Sequence, residues 1–517
     1  MITVSNGFHN KAQGQVIQPV PKLSISFNKT TNNVQFFTLD QSVLNGVDIL
    51  NTSEDNPIQL WDKYDYDDYS DRIVDIDVER SVEFPYGTQS AMADITLNNN
   101  DKYFTPDSTS AIATNNLPGR PLRISAGFTG VEIVPQFVGL TQKMPVVNTK
   151  NATVQYHAVD FLSAIADQTL NDIVVMRDAR TDQVLAKIVE QLGVLPSQYS
   201  FEMGKNIIPF VFFNEGQSAG DAIKQLVQAE NGKFWLDELG ILRFASRDNT
   251  PNEASLTLDD YSIISCTTND YSNIVNHIIV SCDMREVQEF QTVYTKTPSG
   301  DSVNTNWVVG ANSTSVKTVK LEDPCYSIVT PQYGTASYVS WFNAKNTAGT
   351  IVAGNVSVTA TRMTTNSYEM TFSNTNNFPV EINELVLWGE PAKVYDHLEY
   401  DSYEDVSVAK YGEHKMSVAD NPFFQSYDQA VSFSDTVLSQ RAFYTKSYTM
   451  EIKGDFSLQL KDVFDVTGKY AGTYEIDSIT WQLSNGNLST VLKVHSVPHY
   501  EYFRLDVDQL DGTKVLK

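Results

Sequence analysis

Alternation of apolar and polar residues with a period of two dominates the first third of the chain. Ile73, Asp75, Asp77 and Glu79 fall on one face of a run whose other face is Val74, Ile76 and Val78, which predicts a long half-buried strand. Ala93, Ile95 and Leu97 alternate with Asp94 and Thr96, and Leu122, Ile124, Ala126 and Phe128 alternate with Arg123 and Ser125. Between these two strands lies an Asn, Asp, Ser and Thr-rich interruption that closes on "LPGRP", so a sheet is broken by a long polar connection. The stretch 137–161 reads as a hairpin with "NTKN" at its tip and Val154, Tyr156 and Ala158 on the inner face. Residues 35–165 are therefore expected to form one antiparallel sheet, curled or closed. Residues 1–34 are polar and irregular up to "VIQPVPKLSISF" and read as an arm or a first edge strand.

The period then changes. Val184, Leu185, Ile188, Val189 and Leu192 recur at helical spacing, with Thr181 or Asp182 as cap and Gly193 as stop. A second helix begins at Ser218 with Asp221, carries Ile223, Leu226 and Val227, and ends at Asn231–Gly232. A tight hairpin turning at 238–240 follows, so 166–250 is expected to be a small α+β domain. Strands return from 255. The Thr, Ser and Asn-rich block 286–394 has strands of its own and reads as an inserted β-sandwich. Residues 251–285 and 395–500, with a short helix in "YDQAVSFSDTVLSQRAF", make a second antiparallel unit, and 501–517 a polar tail. "YAGTYEID", "SNGN" and "STVLKVHSV" late in the chain echo "FVGLTQ", "NTKN" and "ATVQYHAV" early in it, which suggests two related barrels. The expected fold class is mainly β with a small α+β domain, two antiparallel β-barrels and an inserted β-sandwich.

Composition agrees with this and narrows the function. Aromatic residues reach 11% of the 517, which suits half-buried strands. The formal charge of -26 argues against gripping nucleic acid by counterion release, while leaving room for an acidic wall past which DNA slides. The longest apolar run, 207–213, falls well short of the ~20 residues of a bilayer span. The first fifteen residues lack a basic start and an apolar core, so no signal peptide is expected and synthesis is expected in the host cytoplasm. Cys266, Cys282 and Cys325 form no CxxC pair and read as reduced, buried thiols.

The search for chemistry yields no assigned site. His9, His157, His277, His397, His414, His495 and His499 form no close ligand pair. His157 lies on the polar face of its strand and reads as solvent-facing; His495 and His499 fall in a closing strand and tail. Asp65, Asp67, Asp68 and Asp71 in "YDYDDYSDR" supply the oxygens that calcium needs, but without the Gly and terminal Glu of an EF-hand they read as a solvated turn or a protein contact. No GxSxG elbow, Gly-rich phosphate loop or Cys-His pairing occurs. No catalytic residue, cofactor or metal is expected, and the chain is read as a non-enzyme. A β-rich polysaccharide hydrolase, whose two carboxylates need not be close in sequence, is the rival from another class.

Several pieces, in this order, resemble the hub proteins of phage tail tips and baseplates, a family of minor tail or tail-associated structural proteins. They are "ADITLNNNDKYFTP" with "LPGRPLRISAG" and "FVGLTQ"; "AVDFLSAIADQTL"; "SAGDAIKQLVQAENGKFWLDELGILRF"; "DYSNIVNHIIVS"; and "KYGEHKMSV" ahead of "NPFF" and "LKDVFDVTG". The resemblance covers most of 70–285 and 400–497. It implies two barrels similar to the tail tube subunit, an α+β domain between them, and a homotrimer whose six barrels imitate a hexameric ring around the DNA channel. Implied partners are the tail tube or distal tail ring protein, the tape measure protein, and tip or fibre proteins, with DNA as passing cargo and no stable membrane insertion; the implied location is the tail tip of the virion. The block 286–394 departs from the simplest hubs, and an adaptor for fibres or receptors, with this block as a carbohydrate-binding module, is the structural alternative. Some relatives carry a peptidoglycan-cleaving domain after the second barrel; none is expected here. On this reading the long polar connection after residue 98 packs on a neighbouring subunit, where interface burial would offset the entropy of ordering it.

Overall fold

The computed structural model of the chain describes residues 2–12, 14, 17–27, 64–82, 87–88, 91–105, 108–247, 254, 256–259, 261–268, 274–296, 307–334, 338–346, 348–352, 354–484 and 486–497. The tail 501–517 and His499 lie outside the described residues.

Strands carry the architecture, as the alternation predicts, and the largest sheet holds 14 of them. In its first half the strands run side by side in the order Ile73–Ser81, Met92–Asn98, Thr153–Asp160, Ile133–Thr141, Pro121–Phe128 and Pro19–Ile25. Their predicted inward residues, from Ile76 and Val78 to Tyr156 and Ala158, are buried. This half curls back on itself: Asp67 and Asp68, just ahead of Ile73–Ser81, pair with Ile25 and Ser24 at the far end of the order. The backbone N–H of Tyr69 also donates to the Leu23 carbonyl at 2.9 Å. The segment read as an arm or edge strand thus supplies a full strand, Pro19–Ile25. Ahead of it is a helix, Asn6–Ala12, whose Phe8 packs edge-on against Phe128 at 5.0 Å. With only two apolar positions in seven residues, that helix has no periodic signal to read.

The second half orders its strands Leu256–Leu258, Val463–Val466, Gly472–Ser484, Asn487–Ser496, Ser447–Ile452 and Ile263–Thr268. The first and last of these follow one another in the chain across residues 259–262, so this half turns back as well. The two units expected as barrels are joined edge to edge. Asp75–Ser81 pairs antiparallel with Ser478–Ser484, and the two halves share one hydrophobic core.

The α+β unit has its two predicted helices, Thr181–Gln191 and Ala219–Glu230. The Ser218 hydroxyl accepts from the Asp221 N–H at 3.2 Å, and Asn231 ends the second helix in the left-handed region at φ 55°. The hairpin Lys233–Leu236/Leu242–Ala245 follows, with Gly240 at φ +78° in its turn. The core of this unit also takes in Ile278, Val280, Val418, Phe424, Phe433 and Val437. These residues, expected in the second sheet half, pack here instead, because alternation shows that a strand has an inner face without showing which core that face meets.

The inserted β-sandwich is built on one 24-residue strand, Val380–Tyr403. Its first part pairs with Trp341–Asn346 and Gln291–Lys296, and its second with His277–Val287 in the α+β region. A three-stranded sheet of Ser313–Lys320, Ser367–Asn374 and Val356–Arg362 covers the first part, with Phe342, Met370, Phe372 and Leu385 between the layers.

Candidate functional site

The joint between the two sheet halves is the best-built feature of the molecule. Val78 lies opposite Trp481 and Ile76 opposite Leu483. Phe456 stands edge-on to Trp481 at 5.3 Å and against Phe128 of the other half at 5.2 Å. Each such buried side chain contributes about 1.5–3 kcal/mol. The Gln136 amide donates to the Phe456 carbonyl at 2.7 Å, the Ile2 N–H to the Ser457 carbonyl at 3.0 Å, and His9 Nδ1 lies 3.3 Å from Asp455 Oδ2. Strand, core and N-terminal segment therefore hold residues 455–458 against the first half, and the two halves form a single body.

Behind this joint the α+β hairpin docks through buried charges. Arg80, inward on the strand shared by the halves, places Nη1 3.2 Å from Glu238 Oε2 in the hairpin turn, and the Gln459 amide bonds the same carboxylate. Burial pushes Glu238 up to about 7 against the pull of Arg80, and the same burial lowers Arg80. Lys233 Nζ is 3.0 Å from Glu475 Oε1 and 4.0 Å from Asp477 Oδ1, while Lys461 reaches that same Glu475 oxygen. Burial alone would raise Glu475, but Lys233 and Lys461 overcome it and hold the carboxyl below its ordinary range. Burial, reinforced by the neighbouring Lys233, brings Lys461 down to about 8. His495 completes the group, with Nδ1 2.7 Å from Asp477 Oδ2.

Glu475, Asp477 and His495 each bring a ligand atom within 4.8 Å of the others, which is metal-like spacing. Two ammonium groups already sit on Glu475, so a cation entering here meets like charge, and the donor set fits an ion-pair knot better than a metal centre. The sequence reading missed the knot because its members, 80, 233, 238, 461, 475, 477 and 495, come from three modules. The one local signal is a charged residue at an inward strand position, as at Arg80.

The other candidates are absorbed by structure. His157 pairs with Asp94 across the polar face of two strands at 2.8 Å. Asp68 accepts from the Ser70 hydroxyl and N–H, which lowers its carboxyl, and Arg72 forks onto Asp101 at 3.0 and 2.8 Å. Asp67 and Asp68 are strand residues, and Asp65 and Asp71 join no metal-like cluster among the described residues. The three cysteines are free; burial pushes the Cys282 and Cys325 thiols up to about 11 and about 12.

The described part of the long polar connection is held by the chain itself. Phe104 is fully buried, edge-on to Tyr69 at 5.4 Å and to Tyr156 at 6.1 Å. The Asn99 side-chain oxygen Oδ1 accepts from the Phe104 N–H at 2.9 Å, and the Asn116 amide donates to the Phe104 carbonyl at 2.7 Å. The Asn116 oxygen takes the Tyr156 hydroxyl at 3.0 Å. A neighbouring subunit is not needed to hold this loop, because asparagine side chains replace the missing ladder bonds around one buried ring.

Two edges of the sheet are unlike. On its outer side Pro19–Ile25 is paired only at Ser24 and Ile25, and Pro19 and Pro21 remove two donors from it. Ile263–Thr268 has no proline, and Ile264 on it is 59% exposed. Among the described residues no strand pairs with its outer side.

No family model matches the chain, and no curated protein does. Its structure is similar to a 43 kDa tail protein of prophage MuSo2 from Shewanella oneidensis, at 9% identity and a TM-score of 0.43, over 84% of this chain and 95% of that one. It is similar to a tail protein from Neisseria meningitidis MC58, at 9% identity and a TM-score of 0.43, over 82% and 92%. It is also similar to prophage tail protein gp18 from Listeria monocytogenes, at 9% identity and a TM-score of 0.41, over 85% and 94%.

Proposed function

We propose that the chain is a structural hub at the distal end of a bacteriophage tail, in which three copies close a pseudo-sixfold ring that joins the tail tube to the tip and encloses the DNA channel. The observation that carries this reading is the edge-to-edge joint of Ile73–Ser81 with Gly472–Ser484. Two curled units fixed side by side in one sheet are what a subunit needs if it is to fill two of six places. The ordered sequence pieces that resemble tail hubs point the same way. The open edge Ile263–Thr268 is offered to a neighbour, and a head-to-tail contact of this kind closes into a ring when its rotation allows. The charge of -26 per chain suits a channel wall that DNA passes without sticking. The mechanism is assembly with tube, tape measure and tip proteins, with no catalytic step.

Light-scattering mass and electron-microscopic class averages of the purified chain, alone and with tail tube protein, test this. The expected result is a three-chain ring with six similar lobes, lost in Ile264→Lys while the single chain stays folded. A chain that stays single with tube protein present, or a ring with another number of copies, overturns it.

A further inference from the structure

Beyond the ring, and independently of it, we infer that the solvent-facing side of the inserted sandwich binds a neutral carbohydrate chain. On Val380–Tyr403 the residues Ile382, Leu385 and Leu387 face the sandwich core, while Glu384, Val386, Trp388 and Glu390 face outward. Trp341 lies opposite Val386 on the neighbouring strand, which sets it diagonally beside Trp388 on that outer face. Tyr338 stands over Trp388 edge-on, with ring centres 5.5 Å apart, and is 80% exposed. Its backbone is held at φ +64°, a conformation that a bulky side chain resists. An exposed aromatic ring kept on strained backbone adds little to the core, and strain of this kind gathers at ligand sites.

The polar groups around the rings favour sugar over other occupants. Thr292 lies across from Trp388, and Asn343 donates to Glu384 at 2.8 Å on the same face. A pyranose offers C–H groups on its flat faces and hydroxyls at its rim, so rings take the faces while Thr292 and Glu384 take the hydroxyls, with the buried Asn343 holding Glu384 in place. Glu390 is neutralised by Arg177, but Glu384, held by the neutral Asn343 amide, repels an anionic polymer, which leaves a neutral hexose or N-acetylhexosamine chain as the occupant. The sandwich is carried stiffly. Beyond the 24-residue strand, Arg177 meets Glu390 at 3.1 Å, and Arg362 lies over the Phe212 ring of the α+β unit at 5.9 Å.

Titration calorimetry of the full chain with maltohexaose, cellohexaose and chitohexaose tests the inference, with tryptophan fluorescence as a second signal. At least one of the three is expected to bind and to perturb tryptophan emission. Tyr338→Ala is expected to weaken that binding roughly tenfold with an unchanged melting temperature, and Tyr403→Ala, an exposed aromatic elsewhere, to leave it intact. Hyaluronan fragments are expected not to bind. Ile264→Lys, which breaks the proposed ring, is expected to keep the affinity, so the two readings fail separately. Silence with all three oligosaccharides, binding indifferent to Tyr338, or preference for hyaluronan overturns the inference, as does finding that a protein segment occupies this face instead.

Discussion

The α+β unit is joined to its neighbours in two contrasting ways. Toward the sheet it docks through buried charges, Arg80 on Glu238 and Lys233 on Glu475, with Lys461 of the sheet on the same Glu475 oxygen. Toward the sandwich it shares the strand Val380–Tyr403, reinforced by the half-exposed pair Arg177–Glu390. A continuous strand fixes orientation by covalent geometry and ladder register, and needs nothing buried and charged. A docked surface has no such register, and buried ion pairs penalise every misaligned packing, because a slipped joint leaves a charge alone in a poor dielectric. In this molecule the ionic joint is where the two sheet halves and the hairpin must agree on one geometry.

The largest expected effect comes from Glu475→Gln, which strands two ammonium groups. We expect a loss of about 3–5 kcal/mol in chemical denaturation at pH 7. The pH dependence has a definite sign. Glu475 is depressed in the folded protein, so its contribution is present above the ordinary carboxylate value near 4.5 and is lost as pH falls below it. Part of the acid-side fall in stability should therefore vanish in the variant. Glu238, raised to about 7, runs the other way: the folded state takes up a proton, so its contribution declines as pH rises from 4.5 through 7.

A smaller effect separates specificity from stability. Arg80→Met alone leaves Glu238 buried without its partner and should cost several kcal/mol at pH 8, whereas Arg80→Met with Glu238→Leu should recover most of the loss. A thermodynamic cycle over the four proteins measures the coupling, and additive losses would show that the pair does not act as a unit. The smallest effect belongs to the other joint. Arg177→Ala should change stability by about 0.5 kcal/mol or less, because the shared strand already sets the geometry. A loss as large as that of Arg80→Met would erase the distinction between the joints.

Much of this architecture was legible in the residues. The strands of the first half, both helices of the α+β unit, the Ser218 cap of the second, and the sandwich follow from period and turn chemistry, since each signal lies within one element; the first helix is capped at Arg180 rather than at Thr181 or Asp182, because Thr181 turns inward to bond Glu230. The helix Asn6–Ala12 did not, having too few apolar positions. Nor did the order of the loop after residue 98, where the composition of a solvated turn conceals two asparagines bonded around Phe104. The outward aromatic face was equally hidden, because Trp341, Trp388 and Tyr338 meet only through strand pairing.

The mainly β character of the chain, its helical unit and sandwich, and its strong negative charge are all written in the order and kind of its residues. Those properties are sums over neighbours in the chain or over the whole composition. That the two curled units share one sheet, which core each later strand faces, and that seven scattered charged residues gather behind one joint emerge on folding alone. These depend on pairings between residues hundreds of positions apart, for which local propensity holds no information.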